Sequence, residues 1–435
     1  MNRHELYRPL LERTLENFQL QHLARRFDFG SESRVAAVLV REINSRMDEV
    51  EATLGIRRLK PFELYLKLGN REIILPLFSP EHLEPILNGG TFADSRRLVE
   101  EGCLDRLRHV FPKAQRRDLL ALIHPWALAR RGSHRYVDQL MTDIAPPPDG
   151  DPGGLRAMID GIRPANLSQR VQRLDLMAPR SVLSSLSEFV SREAGLGPVV
   201  SQKLVEEMVT LRNVVCPRKE TLKSGQMPVL STHVRASLSE ETRTRFRRLA
   251  PVIITVWAPG ELRDSPPSTP AFLKNLERRI VRVCFEAYRQ DGLLTLMDLQ
   301  WIFQMSSARI SELTRSVQRR HSIVVPTPGT VLDAGRSVTH KDIIVNLHLA
   351  GYSVMEIAKR TYHSPRAVDN YIGTFESVLI LYLFGLPAHL MSRVLGRSRG
   401  LIVEHLELVK EAFGDGETVR NFLREKGVKI PTIAS

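Results

Sequence analysis

Residues 353–372 read Ser-Val-Met-Glu-Ile-Ala-Lys-Arg-Thr-Tyr-His-Ser-Pro-Arg-Ala-Val-Asp-Asn-Tyr-Ile, and two capping signals in this stretch decide how the C-terminal third of the chain folds. Ser353 and Glu356 have capping-box spacing, so a helix starts at Val354 and runs through Ile357 and Ala358 to near Thr361. Ser364 is placed to cap a second helix, Pro365 suits its first position, and Val368, Ile372 and Phe375 fall on one face at helical spacing. Two short helices joined by a turn of about three to four residues form a helix-turn-helix, the unit that lays its second helix in the DNA major groove. Arg366, Asp369 and Asn370 then point away from the core. Tyr362 and His363 occupy the turn, where glycine and an aliphatic residue are commoner.

The pattern recurs on both sides. Upstream, Thr295 and Asp298 box-cap a helix through Leu299 and Ile302. Ser306 then precedes a second helix with Ile310, Leu313 and Val317 inward and Ser307, Arg309, Glu312 and Arg315 outward. Downstream, Leu390 and Val394 sit on a helix that ends at Gly396, a residue suited to a left-handed turn. Ser398 starts another helix with Ile402 and Leu406 inward, and Arg397 and Arg399 flank that cap. Each unit by itself also reads as an ordinary helical hairpin; the repetition in series is what favours DNA binding.

Around the upstream unit the reading extends to a winged helix. Thr269 and Pro270 open a supporting helix with Phe272, Leu276, Ile280, Val283 and Ala287 on its apolar face, ended by Gly292. Ile323-Val324-Val325 and Val331-Leu332 flank Pro326-Thr327-Pro328-Gly329-Thr330, which predicts a β-hairpin in the position of a wing. Arg319, Arg320, Arg336 and Lys341 would reach phosphates from there, unless the hairpin only covers the core and the arginines are solvated. Thr339 and Asp342 form another capping box that opens the next helix.

The remaining chain is organised by two breaks. Pro146 to Gly154 has seven Pro or Gly among nine residues, and Ser265 to Pro270 is a second interruption. They predict an N-terminal α/β module over 1–145 and a middle module over 155–265. A winged helix-turn-helix follows over 268–336, then a second helix-turn-helix over 337–380 and a third with the C-terminal tail over 381–435. The first two modules echo one another. Val35, Leu39-Val40, Glu42 and Ile43 match Val200, Leu204-Val205, Glu207 and Met208, and Ile73 to Leu83 parallels Val252 to Leu262. The distance between the two blocks differs by 14 residues across the copies, which an insertion accommodates. Such modules carry no chemistry of their own and suit homodimerisation, positioning of the array or contact with another protein.

The net charge of +13 and pI near 9.9 suit a polyanionic partner. From Ser268 onward there are 22 Lys/Arg against 16 Asp/Glu, leaving +6 there and +7 in the remainder, so the basicity supports nucleic-acid contact without locating it. Cys103, Cys216 and Cys284 are isolated, which points to a reducing cytoplasm rather than zinc or disulfides. The N-terminus has no signal-peptide core. The longest apolar run, Val378 to Ala388, falls short of the ~20 residues a membrane span needs and reads as a buried helix ended by Gly385 and Pro387.

Several strings carry a family resemblance. Leu6-Tyr7 with Pro9-Leu10-Leu11 and Thr14, Phe27 with Gly30, and the block Glu277 to Lys341 resemble the prokaryotic family called domain of unknown function 1670. Within that block the telling strings are ERRIVRVCFEAYRQDGLLTLMDL and VVPTPGTVLDAGRSVTHK, followed by LAGYSVMEIAKRTYHSPRAVDNYI. The likeness covers the first forty-odd residues and the chain after about Glu240, and it leaves roughly Asn44 to Leu238 poorly matched, so the chain resembles an extended member of that family. The chain departs from the family at Pro328, where the turn has an arginine, and at Ala334, which replaces a bulkier aliphatic residue. The resemblance implies the helix-turn-helix architecture and assigns no activity.

No enzyme motif is present: there is no HExxH, no GxxxxGK[ST], no dinucleotide glycine fingerprint and no GxSxG. His389 and Arg393 before Gly396 lack the spacing of a recombinase box. Asp118, Asp138 and Asp143 are too far apart in sequence to define a metal site. The expectation is a mainly α protein with small β elements, multi-domain, with a C-terminal winged helix and a tandem helix-turn-helix array. It would bind double-stranded DNA in sequence-specific fashion as a transcriptional regulator, without cofactor or catalysis. A targeting subunit of a mobile element and a protein-interaction scaffold are the alternatives. Ser307, Arg309, Arg315, Ser364, Arg366, Asp369, Asn370, Arg397, Ser398 and Arg399 are the candidate groove contacts, with Arg319, Arg320, Arg336 and Lys341 as phosphate anchors.

Overall fold

The computed structural model describes residues 7, 9–30, 33–114, 116–123, 154–162, 180–236, 248–258, 261, 269–332, 341–414 and 416–425. The fold is mainly α with small β elements. The chain divides into two compact units, Met1–Thr314 with Val325–Leu332, and Arg315–Val324 with Asp333–Ser435. The first unit therefore takes in the N-terminal region, the middle region and the helices that follow it.

The first unit opens with α1 (Leu15–Arg26) and α2 (Arg34–Thr53). Thr14 and Ser33 start them, accepting the amide protons of Asn17 and Ala36. The hairpin of β1 (Glu63–Leu68) and β2 (Arg71–Pro76) follows, paired antiparallel with Tyr65 opposite Ile74. Then come α3 (Glu84–Leu87), α4 (Phe92–Val110), which packs on β2, α5 (Arg116–Ile123) and α6 (Gly154–Gly161). The next helix pair is α7 (Arg180–Ala194) and α8 (Pro198–Val215), with Pro198 at the first helical position of α8. Four helices share one core: Leu23 of α1, Leu39, Val40 and Ile43 of α2, Leu186 and Val190 of α7, and Leu204, Val205 and Met208 of α8.

A second antiparallel pair follows, β3 (Gln226–His233) with β4 (Leu249–Thr255), and β5 (Gly292–Leu293) adds to the other edge of β3. Between β4 and β5 runs α9 (Thr269–Tyr288), which packs on both strands. Buried charges fasten these layers and are paired, as burial requires. Arg212 bonds Glu51 at 2.7 Å, Arg58 bonds the same carboxylate at 2.6 Å, and Arg13 of the N-terminal segment pairs with Asp298. The Arg279 guanidinium lies over the Trp257 ring, 3.5 Å from its centroid, beside the Arg282–Glu261 pair.

Helices α10 (Leu296–Phe303) and α11 (Ser307–His321) complete this unit, whose boundary falls inside α11. The predicted wing does not form. Ile323, Val324 and Val325 are not strand, and Pro328–Val331 is a single helical turn, α12. The physical reason is local. Thr327 and Thr330 make a reciprocal cap around Pro328 at the first helical position, and the Thr330 hydroxyl also donates to the Val325 carbonyl at 2.8 Å. β-branched side chains at 323–325 serve burial here rather than pairing, since all three are buried.

The second unit is helical. It contains α13 (Lys341–Leu349), α14 (Val354–Thr361), α15 (Pro365–Leu383), α16 (Ala388–Leu395), α17 (Arg399–Phe413) and α18 (Gly416–Glu425). One cluster joins Val324, Ile343, Ile344 and Leu347 to Ile357, Ala358, Val368 and Ile372. A second joins Phe375, Val378 and Leu379 of α15 to Met391, Ile402, Val409, Val419 and Leu423. The apolar run from Val378 is thus not a helix of its own. It continues α15 to Leu383, after which Gly385 turns the chain at φ 68°.

Candidate nucleic-acid interface

The middle pair of helices, α14 and α15, is built as its caps dictate. The Ser353 amide donates to Glu356 Oε2 at 2.9 Å and the Glu356 amide donates to Ser353 Oγ at 3.3 Å. These bonds hold the Glu356 carboxyl below its ordinary range, the backbone bond from Ser353 being the largest cause. Tyr362 ends α14 in the left-handed region, φ 60° and ψ 23°, where a non-glycine residue is uncommon. The His363 ring packs on Tyr371 at 6.0 Å, so both unusual turn residues are committed to the turn. Ser364 Oγ accepts the Ala367 amide proton at 3.2 Å and starts α15.

With Val368 and Ile372 buried against Ile357 and Ala358, the opposite side of the first turns of α15 faces solvent. Ser364, Arg366, Asp369, Asn370 and Gly373 are exposed there. Among the described residues no hydrogen bond or ion pair engages the side chains of Arg366, Asp369 or Asn370. Lys359 and Arg360, exposed in the last turn of α14, add charge on the neighbouring helix, with Arg360 over the Tyr352 ring at 4.5 Å. The sequence reading missed this pair. Two adjacent cations in the last helical turn, just before Tyr362, are the signal that marks them.

The upstream unit has its predicted caps and a different setting. Thr295 and Asp298 form the capping box and Gln304 takes the left-handed turn at φ 51°. However, Asp298, Leu299, Gln300, Trp301, Ile302 and Phe303 of α10 are all buried, with Trp301 against Phe78 at 5.0 Å and Phe92 at 5.2 Å. The Gln304 side-chain Nε2 donates to the Leu77 carbonyl at 2.9 Å. Ile310, Leu313 and Val317 of α11 are buried as their spacing predicts. Arg315, Arg319 and Arg320 are exposed, Ser307 is half-buried, Arg309 bonds Glu312 at 2.6 Å and Arg320 bonds Ser316 at 2.8 Å.

In the downstream unit Gly396 is left-handed at φ 60° and Ser398 Oγ accepts the Leu401 amide proton at 3.4 Å. Arg397, Ser398 and Arg399 are exposed together at the start of α17. Past that turn the outward face becomes acidic, with Glu404, Glu407 and Glu411 exposed. The residue that anchors α16 is Met391, while Leu390 and Val394 are exposed. Lys341 pairs with Glu404 and keeps little exposure, so it is held inside the unit. Arg336, Thr339, Asp138 and Asp143 lie outside the described residues.

Residues 193–408 match the profile of the family described as Protein of unknown function (DUF1670). Over that stretch the chain belongs to this family. The DUF1670 match begins in α7 and ends in α17, so it contains α14 and α15 whole. It reaches further toward the N-terminus than the resemblance read from the strings after Glu240, and it does not include the first forty residues. No curated protein and no solved structure gives a significant match to the chain.

Within the DUF1670 stretch the three units differ in what their second helices expose. The middle one presents an open, capped helix start with one guanidinium, one carboxamide and a small residue one turn on. The upstream one offers cations along α11, and the downstream one combines a basic start with an acidic flank. No helix among the described residues is long and apolar enough to cross a membrane.

Proposed function

We propose that the protein binds double-stranded DNA in a sequence-specific manner and acts as a transcriptional regulator, with α15 as the principal reading helix. One observation carries the reading: Arg366, Asp369 and Asn370 stand exposed on the first turns of a serine-capped helix whose other face is fixed by Ile357, Ala358, Val368 and Ile372. Arginine suits the O6/N7 edge of guanine and asparagine the N6/N7 edge of adenine, so Arg366 and Asn370 are the base readers. Arg315, Arg319 and Arg320 of α11, and Arg397 and Arg399 at the start of α17, are the phosphate contacts. The acidic stretch Glu404, Glu407 and Glu411 keeps the body of α17 out of a groove, leaving its first turn as an anchor. A reducing cytoplasm fits three buried free thiols.

The test is selection of bound sequences from a random duplex pool with the full chain, followed by gel-shift titration of the enriched site. Enrichment of a defined site supports the reading. Equal, weak retention of selected and random duplexes sinks it and favours a protein-interaction role.

A further inference from the structure

The first unit contains the same substructure twice. In the helices, Ala36, Leu39, Val40, Ile43, Asn44 and Met47 of α2 correspond by one constant shift to Ser201, Leu204, Val205, Met208, Val209 and Arg212 of α8, and all twelve are buried. In the strands a second constant shift carries Lys60 to Lys223, Phe62 to Gly225, Glu63 to Gln226 and Tyr65 to Pro228, and the hydrogen bonds follow it. The Lys60 amide donates to Glu63 Oε2 at 2.8 Å, and the Lys223 amide to Gln226 Oε1 at 2.8 Å. Phe62 and Gly225 both take positive φ, 67° and 85°. The Phe62 carbonyl accepts from Leu77 at 3.0 Å and the Gly225 carbonyl from Val256 at 2.8 Å. After the hairpins, Ser79 donates its amide proton to His82 Nδ1 at 2.9 Å and Ala258 to Glu261 Oε2 at 2.8 Å.

The two substructures also bind each other symmetrically. The Phe62 amide donates to the Pro228 carbonyl at 2.8 Å, and the Gly225 amide donates to the Tyr65 carbonyl at 2.8 Å. The shift that equates Phe62 with Gly225 and Tyr65 with Pro228 turns each of these bonds into the other. Nearby, Leu59 donates to Pro217 at 2.9 Å, Lys219 donates to Arg57 at 3.1 Å, and Arg58 faces Arg218 in an antiparallel bridge. The helix pairs repeat the exchange, α1 packing on α2 and α8, and α7 on α8 and α2. This is the arrangement of an isologous interface, in which one patch meets itself across a twofold axis.

We infer that residues 15–83 and 180–261 are two copies of one helix–hairpin module closed about a local pseudo-twofold axis, a homodimer fused into one chain, so that the protein acts as a single molecule on a DNA site without dyad symmetry. The clause about DNA rests on the function proposed above. Dimeric helix-turn-helix proteins read palindromes because each subunit brings one reading helix. Here the dimer-like frame is satisfied within the chain, while among the described residues neither copy carries a reading helix of its own and the proposed reader, α15 with α14, lies outside both. The self-complementary patch is consumed internally and offers no second chain the same pairing.

Three measurements on the full chain test this. Sedimentation velocity at about 10 µM is expected to give a single species of 49.4 kDa, and a species of twice that mass overturns the inference. Hydrogen exchange is expected to find the Phe62 and Gly225 amides protected to within about tenfold of each other, because they open together; a freely exchanging Gly225 amide beside a protected Phe62 overturns the pairing. Selection from random duplexes is expected to yield one motif with no inverted repeat and one chain per duplex. A palindrome holding two chains overturns the single-molecule claim. A monomer with paired protection that enriches no DNA upholds the fused dimer and refutes the DNA-reading function instead.

Discussion

His405 of α17 lies beside Phe375 of α15 with ring centroids 6.5 Å apart, fully buried, and neither of its ring nitrogens meets a hydrogen-bond partner among the described residues. Burial pushes its pKa down to about 4; the charge of Lys341 lowers it further and that of Glu404 opposes.

A pH dependence follows with a definite sign. In the unfolded chain the imidazole takes up a proton near pH 6.5, while in the fold it does so only near 4. Between those values the unfolded state binds more protons, so stability is retained above pH 6.5 and falls as pH drops toward 4, by up to about 3 kcal/mol. Urea titrations at pH 7 and pH 5 should differ in midpoint, and His405→Phe should flatten the difference. An unchanged pH slope in that variant would refute the assignment.

On the proposed reading, Arg366→Ala should cost about 1–3 kcal/mol of binding to the selected site and relax preference at one base pair, because a bidentate contact to one base edge would be lost. Arg320→Ala should weaken all sequences alike and reduce the salt slope by about one. Gel-shift titrations at two salt concentrations separate the two outcomes. Equal losses on specific and random DNA for Arg366→Ala would mean that it touches phosphate only.

Ser364→Ala removes the acceptor for the Ala367 amide and should destabilise the second unit by about 1 kcal/mol. Ser364→Asp should restore it, since a carboxylate also caps and suits the helix N-terminus. Guanidinium unfolding followed by circular dichroism provides the check, with recovery by aspartate as the discriminating result.

Two glycines at nearly equal φ should respond unequally to alanine. Gly225 at 85° has no room: an added Cβ would sit 1.9 Å from the Trp257 carbonyl oxygen. Gly351 at 86° faces open space. Gly351→Ala should cost about 1 kcal/mol from backbone strain alone, and Gly225→Ala distinctly more, on the order of 3 kcal/mol, because the hairpin must move. Thermal melts of the two variants compared side by side test the ordering.

The parts of this fold that the sequence made legible are those governed by neighbours in the chain. Ser353 with Glu356, Ser364 with Pro365, Thr295 with Asp298, and Gly396 each act within one turn, and each is found as its spacing predicts. The expected wing fails for a local reason as well: β-branched residues at 323–325 carry a strand signal, but the Thr327–Thr330 cap competes and wins. What spacing could not reveal is pairing across the chain. Nothing near Asp298 indicates that Arg13 covers it, nothing near Lys341 indicates Glu404, and nothing in α10 indicates that Trp301 is enclosed by Phe78 and Phe92. The echo between the first two modules is visible as matched strings, whereas the reciprocal bonds from Phe62 to Pro228 and from Gly225 to Tyr65 join residues far apart in the chain and leave no local signal.

All three cysteines are buried, and burial pushes the thiols of Cys103 and Cys216 up to about 12 and that of Cys284 higher still. Alkylating reagents attack the thiolate, so the native fold is close to inert toward maleimide. Ile380→Cys, exposed farther along α15, would then be the one fluorophore attachment point on the helix proposed to read the duplex, clear of Arg366 and Asn370, with no need to delete any native sulfur.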